Sequence, residues 1–284
     1  MEQKYIDIRK DILNLARTTT QGRLGTDYSV VELIDSVYNH MNHNPKNTNW
    51  EGRDIFILSK GHASLSYYTI LSHHGYFALD DIKTLKKSFD NMISFRKLII
   101  LIVSKKTLKK YNSKFGGHPD RLKVPGVESS TGSLGHGIGI AVGMALAFKI
   151  KKSYRKVYVL VGDGEANEGS VWESIMIAVN EKLDNLVIIF DVNKSQTRGL
   201  QLSNIDGVCK EFGCAVEKIF GHDVNKIKNA FKCGKKNKPL VIVAETIKGY
   251  PCRTLIENKF EWHSKVPNDD YYKIFMDELN EKTI

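Results

Sequence analysis

The sequence predicts an α/β fold, an open parallel sheet with helices on both faces. Short runs of consecutive apolar residues recur along the chain, and stretches with helical spacing separate them. Runs without polar alternation suit strands covered on both faces, as in a parallel sheet. A length of 284 residues with 42% hydrophobic content is enough for one large packed domain and excludes a disordered basic tail.

In chain order, residues 54–58 read as the first buried strand, with Ser59-Lys60-Gly61-His62 as its turn. Residues 157–161, 186–190 and 240–244 read as three more. Between the second and third, residues 168–183 place Val171, Ile175, Ala178 and Val179 at helical spacing, which makes a βαβ unit. A small-residue helix is expected over residues 134–151, through Gly135, Gly137, Gly139, Ala141, Gly143, Ala145 and Ala147. Each glycine weakens a helix by about 1 kcal/mol relative to alanine, so close packing must offset them. Such packing serves either a tight internal contact or the approach of a ligand or second subunit.

Composition removes several function classes. The N-terminus lacks the apolar core of a signal peptide. The longest clearly apolar run, residues 98–103, is far short of the ~20 residues that cross a bilayer, so no transmembrane segment is expected. Cys209, Cys214, Cys233 and Cys252 form no C-x-x-C pair and read as reduced thiols of a cytoplasmic protein. The net charge of +10 invites a nucleic-acid reading, but no helix-turn-helix, zinc-finger spacing or RNP-like aromatic run supports one. Residues 92–111 carry six basic residues, no acid and an apolar centre, so more than half of the +10 is local to one segment.

The sharpest chemical signal is Gly162-Asp163-Gly164-Glu165-Ala166-Asn167-Glu168-Gly169, followed by Asp191-Val192-Asn193. Asp163 follows the second strand and Asn193 the third, so both emerge at the carboxyl edge, where open α/β sheets bind ligands. Carboxylate and amide oxygens are hard donors suited to Mg²⁺, which commonly keeps phosphate oxygens in its shell. Gly162 and Gly164 allow backbone to approach an anion, and the following helix can turn its N-terminus toward it.

This run resembles the thiamine-diphosphate-binding motif, and the whole chain resembles the N-terminal, diphosphate-binding half of a transketolase. The likeness extends through Leu58-Ser59-Lys60-Gly61-His62-Ala63-Ser64, Gly117-His118-Pro119-Asp120 and Ser130-Thr131-Gly132-Ser133-Leu134-Gly135. It continues in Glu245-Thr246-Ile247-Lys248-Gly249 and Glu261-Trp262-His263. The resemblance implies a thiamine-diphosphate-binding (PP-type) fold over residues 1–284 as a single domain, with 92–111 as an insert. It implies thiamine diphosphate and Mg²⁺ as cofactors, with Asp163, Asn193 and the Ser195 carbonyl as metal ligands. Gly164 would approach the diphosphate, and Gly132 and Leu134 would border the cofactor. His62 and His263 would lie near the diphosphate and substrate channel, and His118 near the thiazolium and donor sugar. Glu168 would communicate between paired active sites. His40, His43, His73, His74 and His222 fall outside the matched motifs.

Two departures stand out. The family has Gly-His-x-Gly where this chain reads Gly22-Arg23-Leu24-Gly25. Arginine does not shuttle protons near neutral pH but can bind a phosphate or carboxylate. His136 stands where Gly-Gln-Gly is common. A further expectation concerns what would follow Lys265: the glutamate-bearing pyrimidine domain has no room there. The resemblance therefore implies a partner chain, the C-terminal half of a transketolase, in a dimer of heterodimers acting on sugars or sugar phosphates. The alternatives are the α subunit of a 2-oxoacid dehydrogenase and a catalytically silent scaffold or regulatory partner. The histidine motifs oppose the first, and Arg23 favours the second.

Overall fold

Five strands form one sheet in the computed structural model, which describes residues 2–83, 114–196, 200, 202–258, 260–263 and 265–281. They are β1 (Ile55–Leu58), β2 (Val157–Gly162), β3 (Leu186–Val192), β4 (Ala215–Phe220) and β5 (Leu240–Glu245). Their order is β1-β2-β3-β5-β4, and every neighbouring pair is parallel. The four apolar runs are β1, β2, β3 and β5, so the expected α/β class holds.

Successive side chains of a strand point to opposite faces, which explains why these runs are apolar at every position. Tyr158 and Leu160, Val187 and Ile189, and Leu240 and Ile242 join a core with helices Gln3–Thr19, Val31–His40 and Ser64–His73. Val157, Val159, Val161, Ile188, Phe190, Val241 and Val243 join a second core with helices His136–Ile150 and Gly169–Asn180. β4 was not legible as a strand. It pairs only with β5, and of its six residues Ala215 alone is fully buried, so Glu217 and Lys218 interrupt any apolar run.

The glycine-bearing helix makes a tight internal contact at one end and lies open at the other. Gly135 precedes it at φ +78°, and a Cβ on Gly137 would lie 2.7 Å from the Ser59 Cα, so this end packs tightly inside. Gly139, Ile140 and Gly143 are exposed, and nothing lies within 4 Å of a Cβ built on Gly143. Met176 and Ile177 of the adjacent helix are also exposed, making an apolar outer face. Among the described residues, no helix is long and apolar enough to cross a membrane. The basic segment 92–111 lies outside the described residues.

Candidate active site at the carboxyl edge

Strand register places the site. Gly162 pairs with Asp191 and Val192 with Glu245, so Asn193 and Thr246 leave β3 and β5 together and Asp163 leaves β2 one position earlier along the same edge. The backbone continues the ladder there, with Asp163 N donating to Asp191 O at 3.1 Å and Thr246 N to Val192 O at 3.1 Å.

Asp163 and Asn193 converge on one group. The Ser195 amide donates to Asp163 Oδ2 at 3.2 Å and to Asn193 Oδ1 at 3.0 Å. The Ser195 hydroxyl donates to Asp163 Oδ1 at 3.3 Å, and the Gly164 amide to the same oxygen at 2.7 Å. Burial, then the nearby Asp191 carboxylate, pushes Asp163 above the usual carboxylate range; Lys60 and these hydrogen bonds offset only part of it. A buried acid held in this way favours a neighbouring cation.

The centre of the edge is Asp191, to which the sequence motif alone attaches no role. It is fully buried and receives the Lys60 ammonium, the Thr246 hydroxyl, the Ser29 hydroxyl at 3.0 Å and the Asn193 amide nitrogen at 2.8 Å. Burial would raise its pKa, but the Lys60 charge and these donors outweigh it and hold the carboxyl below its usual range. Because Asn193 Nδ2 is committed to Asp191, Asn193 Oδ1 is turned toward the Asp163 side. Lys60 is 2% exposed. A lysine is almost never covered in this way unless it is paired, and that covering shows only in the fold.

Glu165 is the second buried acid of the motif. Its carboxylate accepts from the Ser59 hydroxyl at 2.5 Å, the Gly135 amide at 2.8 Å and the Gly162 amide at 3.1 Å. Burial raises its pKa despite these donors. Glu165 thereby ties the ends of β1 and β2 to the start of the glycine-bearing helix. Glu168, by contrast, is exposed, precedes the Gly169–Asn180 helix and lies outside the histidine cleft.

His62 and His118 share a cleft of about 390 Å³ with Gln21, Gly22, Arg23 and Ser64. The loop carrying His118 is fixed by Tyr68, whose hydroxyl donates to His118 O at 2.8 Å, and by Ser64, which donates to Gly117 O at 3.0 Å. Gly132 (φ +154°) lies against His118, whose Cδ2 is 3.0 Å from where a Cβ would sit. Leu134 is half-buried just beyond. The rings of His62 and His263 are 6.3 Å apart, and Trp262, buried against Tyr271 and Phe275, anchors the turn carrying His263. Lys248 Nζ lies 2.9 Å from His263 Nδ1, so an ammonium donating there leaves the ring proton on Nε2. The expected histidines are thus together, while Glu168 stands apart. Among the described residues no group of three or more His, Cys, Asp or Glu forms a metal site, so a cation here would depend on amide and carbonyl oxygens as well.

Burial first, then the Lys60, Arg23, His263 and His118 charges, lowers the His62 pKa to about 2 from 6.5. His118 and His263 are lowered in the same direction, again first by burial. For a base with a depressed folded-state pKa, stability is fully present above the unfolded value and is lost as pH falls below it. Wild type should therefore lose roughly 2–3 kcal/mol more than His62→Gln between about pH 6.5 and about pH 4.5, at about 1.4 kcal/mol per unit. Urea midpoints of both proteins across that range check this, and parallel pH curves would refute it.

A parallel α/β sheet with a buried acid–amide pair and flanking glycines at its carboxyl edge places the chain among the α/β proteins that bind ligands at that edge. Residues 3–96 and 97–272 match the family model "Transketolase, thiamine diphosphate binding domain". An apulose-4-phosphate transketolase subunit from Actinobacillus succinogenes is 38% identical, with 99% of this chain and 96% of that protein covered. A 6-deoxy-6-sulfo-D-fructose transketolase subunit from a Clostridium species is 29% identical, with 99% of each covered. The crystal structure of Campylobacter jejuni transketolase superposes with a TM-score of 0.82 at 27% identity, covering 99% of this chain but 43% of that one. The chain belongs to the transketolase family. It spans the length of relatives named as subunits and less than half of the Campylobacter transketolase chain. The 2-oxoacid dehydrogenase alternative is not favoured.

Proposed function

We propose that this chain, as one domain, is the diphosphate-binding subunit of a split transketolase. With a partner supplying the pyrimidine-binding half, it transfers a two-carbon ketol unit from a ketose to an aldose in the cytoplasm. The observation that carries this reading is the convergence of Asp163 and Asn193 on the Ser195 amide at the carboxyl edge. The residues present fit the implied groups. Asp163 and Asn193 offer hard oxygens, the Asp163 charge is incompletely balanced, and only Gln196 Cβ, at 3.9 Å, lies near a Cβ built on Gly164.

In this reading Asp163, Asn193 and the Ser195 carbonyl hold Mg²⁺, and Gly164, His62 and His263 approach the diphosphate. Thiamine diphosphate, when bound, supplies the carbon nucleophile that takes up the two-carbon unit. Lys60 and Asp191 fix the direction of the Asn193 amide. Gly132 and Leu134 border the cofactor. His118, neutral near pH 7 because burial and Arg23 lower its pKa, hydrogen-bonds or relays a proton to substrate oxygen. Glu168 lies toward the assembly interface, and the apolar outer face with Ile140, Met176 and Ile177 offers contact area for the other chains of a dimer of heterodimers.

Calorimetric titration of the chain–partner complex tests this: thiamine diphosphate should bind with Mg²⁺ present and lose affinity with EDTA. Binding followed by cleavage of a ketose supports the enzyme. Binding without cleavage would instead indicate a catalytically silent partner.

A further inference from the structure

Arg23 is the one half-buried arginine whose guanidinium has no hydrogen-bond or ion-pair partner among the described residues. Arg9 is bidentate to Glu32, Arg53 is bidentate to Glu128, and Arg155 donates to the Arg53 carbonyl. Arg23 instead lines the cleft with Gln21, His62, Ser64 and His118, and among the described residues no acidic side chain lines that cleft.

Its backbone is held in place. The Arg23 amide donates to Asp27 Oδ2 at 2.7 Å, and its carbonyl accepts from the Thr26 and Asp27 amides at 2.7 and 2.8 Å. Asp27 is fully buried and gives its other oxygen to Ser66, so it fixes the turn without neutralising the guanidinium. The Arg23 charge also lowers the proton affinity of His62, His118 and His263, so the imidazoles around it bring no second cation at neutral pH. A charged fork of donors on a fixed backbone, in a cleft whose described lining holds no acid, is complementary to an oxyanion.

We propose that Arg23 is a specificity-determining residue that binds an oxyanion of the substrate, a carboxylate or a phosphate, beside His62 and His118. This rests on the function proposed above. It makes the cleft selective for anionic donors over neutral ones.

The test uses the chain–partner complex with thiamine diphosphate and Mg²⁺. Wild type, R23Q and R23K are compared on fructose, fructose 6-phosphate and hydroxypyruvate, the last two carrying a phosphate and a carboxylate. In R23Q the ratio of kcat/KM for one anionic donor to that for fructose should fall about 10- to 100-fold, mainly through KM, and R23K should recover part of it. The donor whose ratio falls identifies the oxyanion; unchanged ratios for both overturn the proposal. A second measurement does not need turnover: calorimetric titration of the full chain with inorganic phosphate and with glycolate. At least about tenfold weaker binding of one of them to R23Q supports the proposal even if no donor is cleaved, in which case only the transketolase reading fails. Equal binding of both anions to wild type and R23Q overturns it.

Discussion

Asp163→Asn should weaken Mg²⁺-dependent thiamine diphosphate binding by about 100-fold or more, while the fold becomes no less stable. The two effects have opposite signs for one reason. Burial and the Asp191 charge raise the pKa of Asp163, so its ionised form is disfavoured in the folded protein without a cation beside it. The amide isostere keeps one oxygen for the Gly164 amide and the Ser195 hydroxyl, leaves the Ser195 amide to Asn193 Oδ1 and removes that unfavourable charge, but it also removes the charge that a divalent ion needs. Calorimetry of the chain–partner complex measures the first effect, and urea midpoints of the free chain measure the second. Unchanged cofactor affinity would remove Asp163 from the metal site.

Lys60→Met should have the largest effect on stability, a loss of about 3 kcal/mol or more. The Lys60 and Asp191 side chains are 2% and 0% exposed, and removing the ammonium leaves a buried carboxylate with only neutral donors. Adding Asp191→Asn should restore much of the loss, because a neutral pair avoids the uncompensated charge. The pH dependence has a defined sign. With its pKa held below 3.8, Asp191 contributes stability that is present above that value and is lost as pH falls through the folded-state pKa. Chemical denaturation of the single and double variants checks this, and a Lys60→Met cost below about 1 kcal/mol would show that the pair contributes little.

The sheet was legible where strands are buried on both faces, because β1, β2, β3 and β5 are apolar at consecutive positions. β4 was hidden because an edge strand needs cover over less of its surface, and Glu217 and Lys218 occupy the rest. In the site, Asp163 and Asn193 could be read because each directly follows a strand in a spaced motif. The Lys60–Asp191 centre could not be read, because it is assembled from the ends of β1, β3 and β5 together with Ser29, which precedes them all in the chain. The two glutamates of the motif also separate only in three dimensions. Glu165 is buried under Ser59 and Gly135, whereas Glu168, three residues on, faces out.

The central claim is that this chain carries the diphosphate half of an active site completed by another chain. Its most direct test is ketol transfer from a ketose to an aldose, measured with the rigorously purified chain alone and again with a partner resembling the C-terminal half of a transketolase. The predicted result is no turnover alone and Mg²⁺-dependent turnover with the partner. Robust turnover by the chain alone would contradict the claim.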